Sequence, residues 1–257
     1  MSNKVINEEL IKELEKITDA GELIGEIFRR FGKKAALGTS GQLSGVVIID
    51  LAVKAGVKPN AFTLDTLRLF PETLEFFKKV EKKYKIKIQR TKPDKAELKK
   101  MVAENGEHLF FDSKEKQELC CKIRKVNPNT QILTKLDVWI TGLRVDQSAS
   151  RAFTPRFQIL HHPIDGHPIL KVAPLLNWTE EQLRDYIKKN KLPIHELLEW
   201  NKDGWRYDSL GCVLCTTPIS PTEPRCAGRW RWFNALDPNS KECGLHVEEA
   251  KDETASD

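Results

Sequence analysis

The sequence predicts an α/β fold in which a largely parallel β-sheet is covered by helices. Short apolar runs typical of buried strands alternate along the chain with segments of helical periodicity, and this alternation favours right-handed β–α–β crossovers. With 257 residues, 40% of them hydrophobic, the chain is long enough to bury a full core without disulfides.

The N-terminal segment, residues 7–30, is predicted to be helical. Apolar residues recur near helical spacing and Gly32 follows as a stop; they are Leu10, Ile11, Leu14, Ile17, Leu23, Ile24 and Ile27. The charged, amphipathic start of the chain is unlike an export signal. The longest apolar stretch, Val46–Ile49, is far shorter than the roughly 18–20 residues of a membrane span. We therefore expect a cytoplasmic protein without a transmembrane helix.

Strands and helices are predicted to alternate through the middle of the chain. We expect strands at 35–39, 61–65, 86–89 and 138–142, and helices at 46–54 and 71–84. Thr179, followed three residues later by Gln182, indicates a capping box that opens another helix. From Asn201 onward Gly, Pro, Cys and Trp dominate, so this segment is predicted to be irregular and fixed by something other than a core.

Positive charge is concentrated in the body of the chain. The net charge is +5, but residues 247–257 are acidic, and residues 1–246 hold 41 basic and 32 acidic side chains, a surplus of nine. Such a surplus suits an anionic partner, either nucleic acid or a small polyanion such as a nucleotide. A solvated surface rich in lysine would have the same composition.

Four of the six cysteines form two close pairs. Cys120 and Cys121 are adjacent, and Cys212 and Cys215 form a C-x-x-C. Four thiolates can hold a zinc ion or an iron–sulfur cluster, although a vicinal pair is poor zinc-ribbon geometry. Alternatively, one cysteine of each pair is a small buried apolar residue.

Cys243 has the surroundings of a nucleophile. Lys241 and His246 are close enough in sequence to lower its pKa, and Gly244 leaves room for a ligand, whereas Glu242 opposes the effect. An unreactive cysteine near the terminus is the alternative.

Three further segments are suited to binding an anion. Residues 36–45 form a strand, a Gly/Ser loop and a helix start, which can bind phosphate, although the Walker spacing is absent and a plain turn is as good a reading. Arg144 and Arg151 follow a predicted strand, where ligands of α/β sheets gather. Arg225, Arg229 and Arg231 lie among tryptophans, a pattern that also suits nucleic-acid stacking.

Together these residues resemble the phosphoadenylyl/adenylyl-sulfate reductase family, and specifically its iron–sulfur branch, the assimilatory adenylyl-sulfate (APS) reductases. The resemblance runs from about Lys34 to His246. It rests on LDTLRLFPET at 64–73, TGLRVDQSASR at 141–151, KVAPLLNWTEEQLRDYI at 171–187, the CC and GCVLC pairs, AGRWRW at 227–232 and KECGLH at 241–246.

The resemblance implies a doubly wound, mostly parallel sheet of the adenine-nucleotide α-hydrolase-like type, with an irregular C-terminal segment and a mobile tail. It divides the chain into a nucleotide-binding reductase domain, 1–215, and a C-terminal segment, 216–257, that carries the arginine motif and the active-site cysteine. One 4Fe–4S cluster would be held by Cys120, Cys121, Cys212 and Cys215.

The resemblance also implies a reaction. Cys243 would attack the sulfur of APS, release AMP and become an S-sulfonate, from which thioredoxin, or a glutaredoxin-like reductant, frees sulfite. Neither a membrane nor nucleic acid is expected as a partner, and homo-oligomers are common in the family. The residues expected to bind the substrate are Ser40, Gly41, Leu64, Thr66, Lys125, Arg144, Arg151, Arg225, Arg229 and His246.

The chain departs from the family pattern at three places. Leu43 and Ser44 replace an acidic pair of the phosphate loop, Leu67 replaces a Gly after LDT, and Cys226 replaces the first arginine of the arginine motif. These changes leave open the 3′-phosphorylated nucleotide, PAPS, as the substrate. A nucleic-acid-binding or RNA-modifying metalloprotein is the more distant alternative.

Overall fold

The computed structural model describes residues 5–148 and 151–233, without the side chains of Arg225 and Cys226. The chain forms two compact units, each assembled from three stretches. Unit 1 comprises Met1–Thr63, Pro71–Gln89 and Leu133–Glu199, and unit 2 comprises Leu64–Phe70, Arg90–Ile132 and Trp200–Asp257. The division of the chain at residue 215 stays a prediction.

A six-stranded sheet confirms the predicted α/β class. The strands are β1 (Ala35–Gly38), β2 (Ala61–Leu64), β3 (Ile88–Thr91), β4 (Val138–Ile140), β5 (Phe157–His161) and β6 (Pro168–Val172), in the order β3-β2-β1-β4-β6-β5. β1 pairs in parallel with β2 and β4, β4 pairs in parallel with β6, and β5 is antiparallel to β6.

The strand order reverses beside β1. The chain moves outward from β1 through β2 to β3, and β4 then pairs with the other edge of β1, with Ala35 opposite Val138. This is the topology of a doubly wound sheet. Ligands of such sheets bind outside the carboxyl ends of the strands at the reversal, here β1 and β4.

Eight α-helices accompany the sheet in the described part of the chain: α1 (Glu8–Glu15), α2 (Ala20–Phe31), α3 (Leu43–Lys54), α4 (Pro71–Tyr84), α5 (Lys95–Asn105), α6 (Lys114–Cys121), α7 (Asn127–Leu133) and α8 (Glu180–Asn190). The predicted N-terminal helical segment is divided into α1 and α2, because the Asp19 carboxylate accepts a hydrogen bond from the Glu22 amide and starts a second helix. A π-helical turn, Lys122–Val126, joins α6 to α7. None of the described helices is long and apolar enough to cross a membrane.

The core of unit 1 is built around α3, which is buried along most of its length and packs on α2 and α8. One buried carboxylate lies in this packing. Asp50 accepts hydrogen bonds from the hydroxyls of Tyr84 (3.0 Å) and Tyr186 (2.8 Å) and pairs with Lys54 at 2.8 Å. These contacts connect α3 to α4 and α8.

In unit 2 the described residues from 201 to 233 contain only short 3-10 turns and isolated bridges, including Arg206 with Ile219 and Thr216 with Arg229. The segment is irregular, as predicted. It contributes three residues to an apolar cluster of unit 2, whose buried members are Met101, Leu109, Phe110, Cys120, Cys121, Cys212, Cys215 and Trp230.

Candidate functional site

The loop after β1 leads directly into α3. Gly41 adopts a φ of +78°, and its amide donates to the Thr39 hydroxyl at 3.2 Å. A Cβ at Gly45 would lie 2.2 Å from the Thr39 Oγ1, so only glycine fits in this first helical turn. The predicted phosphate-loop residues Ser40 and Gly41 therefore lie at the start of a buried helix, and Ser40 is exposed. Backbone amides at such a helix start favour an anion.

The loop after β4 is locked to the loop after β1. The Arg144 guanidinium is buried and donates to the Ser44 hydroxyl and to the Asp146 carboxylate, both at 2.8 Å. Gly142 permits the approach, because a Cβ there would lie 2.9 Å from the Ser44 Cβ. Arg144 thus positions the two loops at the strand reversal; contact with substrate stays a prediction.

Two other contacts extend this arrangement. Asp146 also accepts the Glu180 amide at 2.7 Å, which joins the loop to the N-terminus of α8. The guanidinium of Arg151 donates to the Gln147 side chain. Thr179 and Gln182 form the predicted capping box of α8. Arg144 and Arg151, which are predicted to bind an anion, are therefore held by hydrogen bonds within unit 1.

In unit 2, Thr66 lies beside a cysteine. Leu64 is the last residue of β2. The Thr66 hydroxyl is 3.2 Å from the Cys212 sulfur, and its carbonyl accepts a hydrogen bond from Arg124 at 2.9 Å. Contact of Leu64 and Thr66 with an adenosine stays a prediction, and the structure adds Cys212 and Arg124 as neighbours of Thr66.

The two cysteine pairs come together in one apolar cluster. Cys120, Cys121, Cys212 and Cys215 are all buried there, and none forms a disulfide. Cys120 and Cys121 are the last two residues of α6. Cys215 ends the short 3-10 turn Val213–Cys215, and Cys212 immediately precedes that turn. Thiols separated by about ninety residues in sequence thus share one site.

Positive charge surrounds these thiols. An Arg68 nitrogen lies 3.9 Å from the Cys120 sulfur, while the same guanidinium pairs with Glu107. The Gln117 amide donates to the Cys121 sulfur at 3.2 Å. The π-helical turn after Cys121 places Arg124 and Lys125 on buried positions. Sulfur anions at this site would therefore be offset by cations of the same unit.

Burial governs the protonation of the thiols. Desolvation raises the pKa of Cys120 even though Arg124 and Arg68 oppose it, and desolvation raises the pKa of Cys215 to about 11. Without a bound metal, these thiols therefore stay protonated at neutral pH. Metal binding would release their protons.

Among the buried donors in the described part of unit 2, the Arg124 Nε and the Trp230 indole nitrogen lie near the cysteines and make no hydrogen bond. Orphaned buried donors are rare and point to an acceptor at that place. Trp230 packs in the cysteine cluster, and the Arg124 guanidinium is close enough to Cys120 to affect its pKa. Sulfide ions held by the cysteines would supply such an acceptor.

Four thiolates are the ligand set of a 4Fe–4S cluster, and four thiolates also bind a zinc ion. The buried thiols, the cations beside them and the orphaned donors fit an iron–sulfur cluster, whose sulfide ions supply acceptors that a single zinc ion lacks.

Arg229 lies in the same unit. Its guanidinium donates to the Thr216 hydroxyl at 3.2 Å and stacks 4.8 Å from the Trp230 ring. A Cβ at Gly211 would lie 2.2 Å from the Arg229 Nη1, so a larger residue there would displace this guanidinium. The side chain of Arg225, and Cys243 and His246 entirely, lie outside the described residues.

Sequence reasoning did not single out Arg68, Glu107 and Gln117. Arg68 falls within the LDTLRLFPET segment, which was the available signal for it. Glu107 meets Arg68 across thirty-nine residues, and no local pattern indicates such a pair.

Comparison with known proteins places the chain in a family. Residues 34–218 match the phosphoadenosine phosphosulfate reductase domain. A protein of Rhizobium tropici named adenosine 5′-phosphosulfate reductase is 39% identical over 186 residues, 72% of this chain and 97% of its own. A protein of Burkholderia cepacia with the same name is 33% identical over 241 residues, 93% of this chain and 89% of its own.

The fold has solved counterparts. The crystal structure of phosphoadenylyl-sulfate reductase from Candida auris, a phosphate complex, superposes with a TM-score of 0.65 at 24% identity, covering 83% of this chain and 98% of that one. FMN adenylyltransferase of Candida glabrata superposes with a TM-score of 0.53 at 15% identity, covering 86% of this chain and 73% of that one. The resemblance inferred from the motifs is confirmed: the chain belongs to the phosphoadenosine phosphosulfate reductase family.

Proposed function

We propose that the protein reduces APS to sulfite and AMP in assimilatory sulfate reduction. The observation that carries the proposal is the cluster of four buried thiols among cations and orphaned donors, in a chain whose relatives are named adenosine 5′-phosphosulfate reductase. PAPS reduction is the alternative within the same family.

Cys120, Cys121, Cys212 and Cys215 would hold one 4Fe–4S cluster. Such a cluster, when bound, supplies sulfur anions fixed at one place, whose charge Arg68 and Arg124 offset. The Arg124 Nε and the Trp230 indole nitrogen are the donors available to those anions. The remaining chemistry belongs to the chain itself.

The substrate's two anionic groups must be neutralised before a thiolate can approach. We assign Lys125, Arg151 and Arg229 to binding of the phosphosulfate. The other assigned substrate-binding residues are Arg225 and His246, together with Ser40 and Gly41 in the loop after β1. Neutralisation lowers the repulsion of the nucleophile and stabilises AMP as the leaving group.

Cys243 is the nucleophile in this scheme. Its thiolate forms a bond to the sulfur of APS while the S–O bond breaks, and the electron pair leaves with AMP. A thiolate of thioredoxin, or of a glutaredoxin-like protein, then attacks the Cys243 sulfur and displaces sulfite. The second thiol of that partner resolves the mixed disulfide, so two thiols are oxidised for each sulfite released.

Mass spectrometry after incubation with APS tests the mechanism. We expect a sulfonate adduct on Cys243, none in Cys243→Ser, and the full adduct in the control Cys226→Ser, because Cys226 has no assigned role. An unmodified Cys243 in protein that retains its iron would contradict the mechanism. Sulfite release from PAPS equal to or faster than that from APS would favour the alternative substrate.

The proposal has two further parts. The reaction takes place in the cytoplasm, whose reducing conditions keep the thiols free. Residues 216–257 act as the segment that carries Arg229 and Cys243, while residues 1–215 carry the cluster ligands. A homo-oligomer in solution would be compatible both with the cytoplasmic location and with this division of the chain.

A further inference from the structure

The closed end of the β5–β6 hairpin brings together three side chains outside the site described above. Residues 162–167 form its loop, closed by hydrogen bonds from the His162 amide to the His167 carbonyl (2.9 Å) and from the Gly166 amide to the His162 carbonyl (2.8 Å). The rings of His162 and His167 stack with centroids 5.0 Å apart and planes 19° from parallel. Asp165 lies beside both rings.

The atoms that face one another in this cluster are acceptors. One Asp165 carboxylate oxygen lies 3.1 Å from the His162 Nδ1 and 2.6 Å from the His167 Nδ1. The His167 Nε2 is 3.2 Å from the Leu136 carbonyl, so that nitrogen carries a proton and donates it. In the neutral ring, the His167 Nδ1 therefore presents a lone pair to the carboxylate.

The neutral His162 ring has its lone pair on the same nitrogen, Nδ1. The His162 Nδ1 accepts the Ile164 amide at 3.3 Å, so its lone pair lies on Nδ1, and a metal ion bound there would replace this long hydrogen bond. Two imidazole lone pairs and a carboxylate thus converge within 4.8 Å. Because acceptors repel one another at these distances, either a proton on the His167 Nδ1 or a metal ion must lie between them.

We propose that this hairpin loop binds one divalent transition-metal ion through the His162 Nδ1, the Asp165 carboxylate and the His167 Nδ1. The donor set of two imidazoles and one carboxylate selects a borderline ion such as Zn²⁺ over Mg²⁺ or Ca²⁺, which prefer oxygen. The class of ligand follows from the donors alone and does not depend on the proposed reductase activity.

The geometry needs little adjustment. Nitrogen and oxygen ligands of tetrahedral zinc lie about 3.4 Å apart, given metal–ligand bonds of about 2.1 Å. The Asp165 oxygen is 3.1 Å and 2.6 Å from the two nitrogens, so shifts below about 1 Å open the site.

The second contacts of the ligands also fit. A metal-bound histidine usually donates its other nitrogen to a carbonyl or carboxylate, as His167 does to Leu136. The His162 side chain is fully buried whereas Asp165 is 53% exposed, which gives the ion an entry path from solvent. Three protein ligands leave the fourth position for water.

Zinc content tests the proposal in the full-length protein with its cysteine site intact. We expect wild-type protein dialysed against Zn²⁺ to bind one equivalent more than Asp165→Asn and His167→Gln, each of which weakens binding at this site at least about tenfold. His161→Gln is the matched control, because His161 is exposed at the end of β5 and is not part of the cluster. All four proteins keep the same cysteines, so thiolate-bound zinc cancels in the comparison.

Equal zinc content in the wild type and in both variants would overturn the proposal and leave a proton as the ion between Asp165 and His167. Cadmium NMR of wild-type protein provides a test that needs no variant. A resonance in the range of nitrogen and oxygen ligands supports the site. Thiolate-bound cadmium alone contradicts it.

Discussion

At the residue scale, Leu67 shows how one position of the family pattern acts on the backbone. Leu67 has a φ of +59° and a half-exposed side chain. This left-handed conformation costs a leucine about 1–2 kcal/mol, whereas glycine adopts it without that cost. The family's usual glycine at this position therefore has a conformational reason. Leu67 in its place introduces local backbone strain.

We expect Leu67→Gly to stabilise the protein by about 0.5–1 kcal/mol, because the relief of strain exceeds the extra entropy that glycine gains in the unfolded chain. Urea unfolding followed by circular dichroism measures the change. Leu67→Ala is the control: it retains a Cβ and the strain, so its stability stays close to that of wild type. A Leu67→Gly protein less stable than Leu67→Ala would refute the explanation.

At the element scale, His195 joins α4 to the turn after α8. Its Nδ1 accepts the Leu197 amide at 3.2 Å, so its Nε2 carries the proton and donates to the Thr73 hydroxyl at 2.9 Å. Burial lowers the pKa of His195 to about 4. The neutral ring is therefore the form that both contacts require.

The shift makes stability depend on pH. Between the unfolded value of about 6.5 and the folded value of about 4, only the unfolded chain binds the proton, so acidification favours unfolding. We expect wild-type protein to lose about 3 kcal/mol more across this window than His195→Gln. Chemical unfolding at a series of pH values measures the difference, with His161→Gln as an exposed control. Parallel curves for wild type and His195→Gln would exclude this role.

The same scale shows what the sequence can predict. α4 was predicted at 71–84 and found at Pro71–Tyr84, because its apolar face and its flanks are local signals. β5 and β6 were not predicted: most of β5 is only partly buried, so its sequence lacks the continuous apolar run of the central strands. β3 begins at Ile88, two residues later than predicted.

The candidate site divides in the same way. The cysteine pairs and the TGLRVDQSASR segment at 141–151 were identified from spacing and motif, because their residue types carry the chemistry. Partners that meet across long sequence separations were not, and these include Ser44 with Arg144 and Arg68 with Glu107. Such pairs are set by the topology of the chain rather than by neighbouring residues.

At the scale of the whole molecule, the two units have different sources of stability. Unit 1 has a sheet with a buried helix at its core, whereas the described part of unit 2 packs irregular segments around four buried thiols. If those thiols hold a cluster, its binding energy is part of the folding energy of unit 2.

Removal of the iron by a chelator should therefore destabilise unit 2 more than unit 1. We expect faster amide hydrogen exchange in residues 109–126 and 205–233, while β1, β2 and α3 keep their protection. Exchange read by mass spectrometry, before and after iron removal, measures this. A uniform rise along the chain, or no rise in unit 2, would contradict a cluster-dependent unit.

The π-helical turn between α6 and α7 changes the angular position, about the helix axis, of every residue that follows it. One extra residue in a turn advances the helical phase by about 100°. The apolar faces of Lys114–Cys121 and Asn127–Leu133 therefore follow two periodicities offset from one another, and no single pattern spans residues 114–133. A one-residue deletion in this turn would rotate Cys120 and Cys121 about the helix axis relative to every residue of α7.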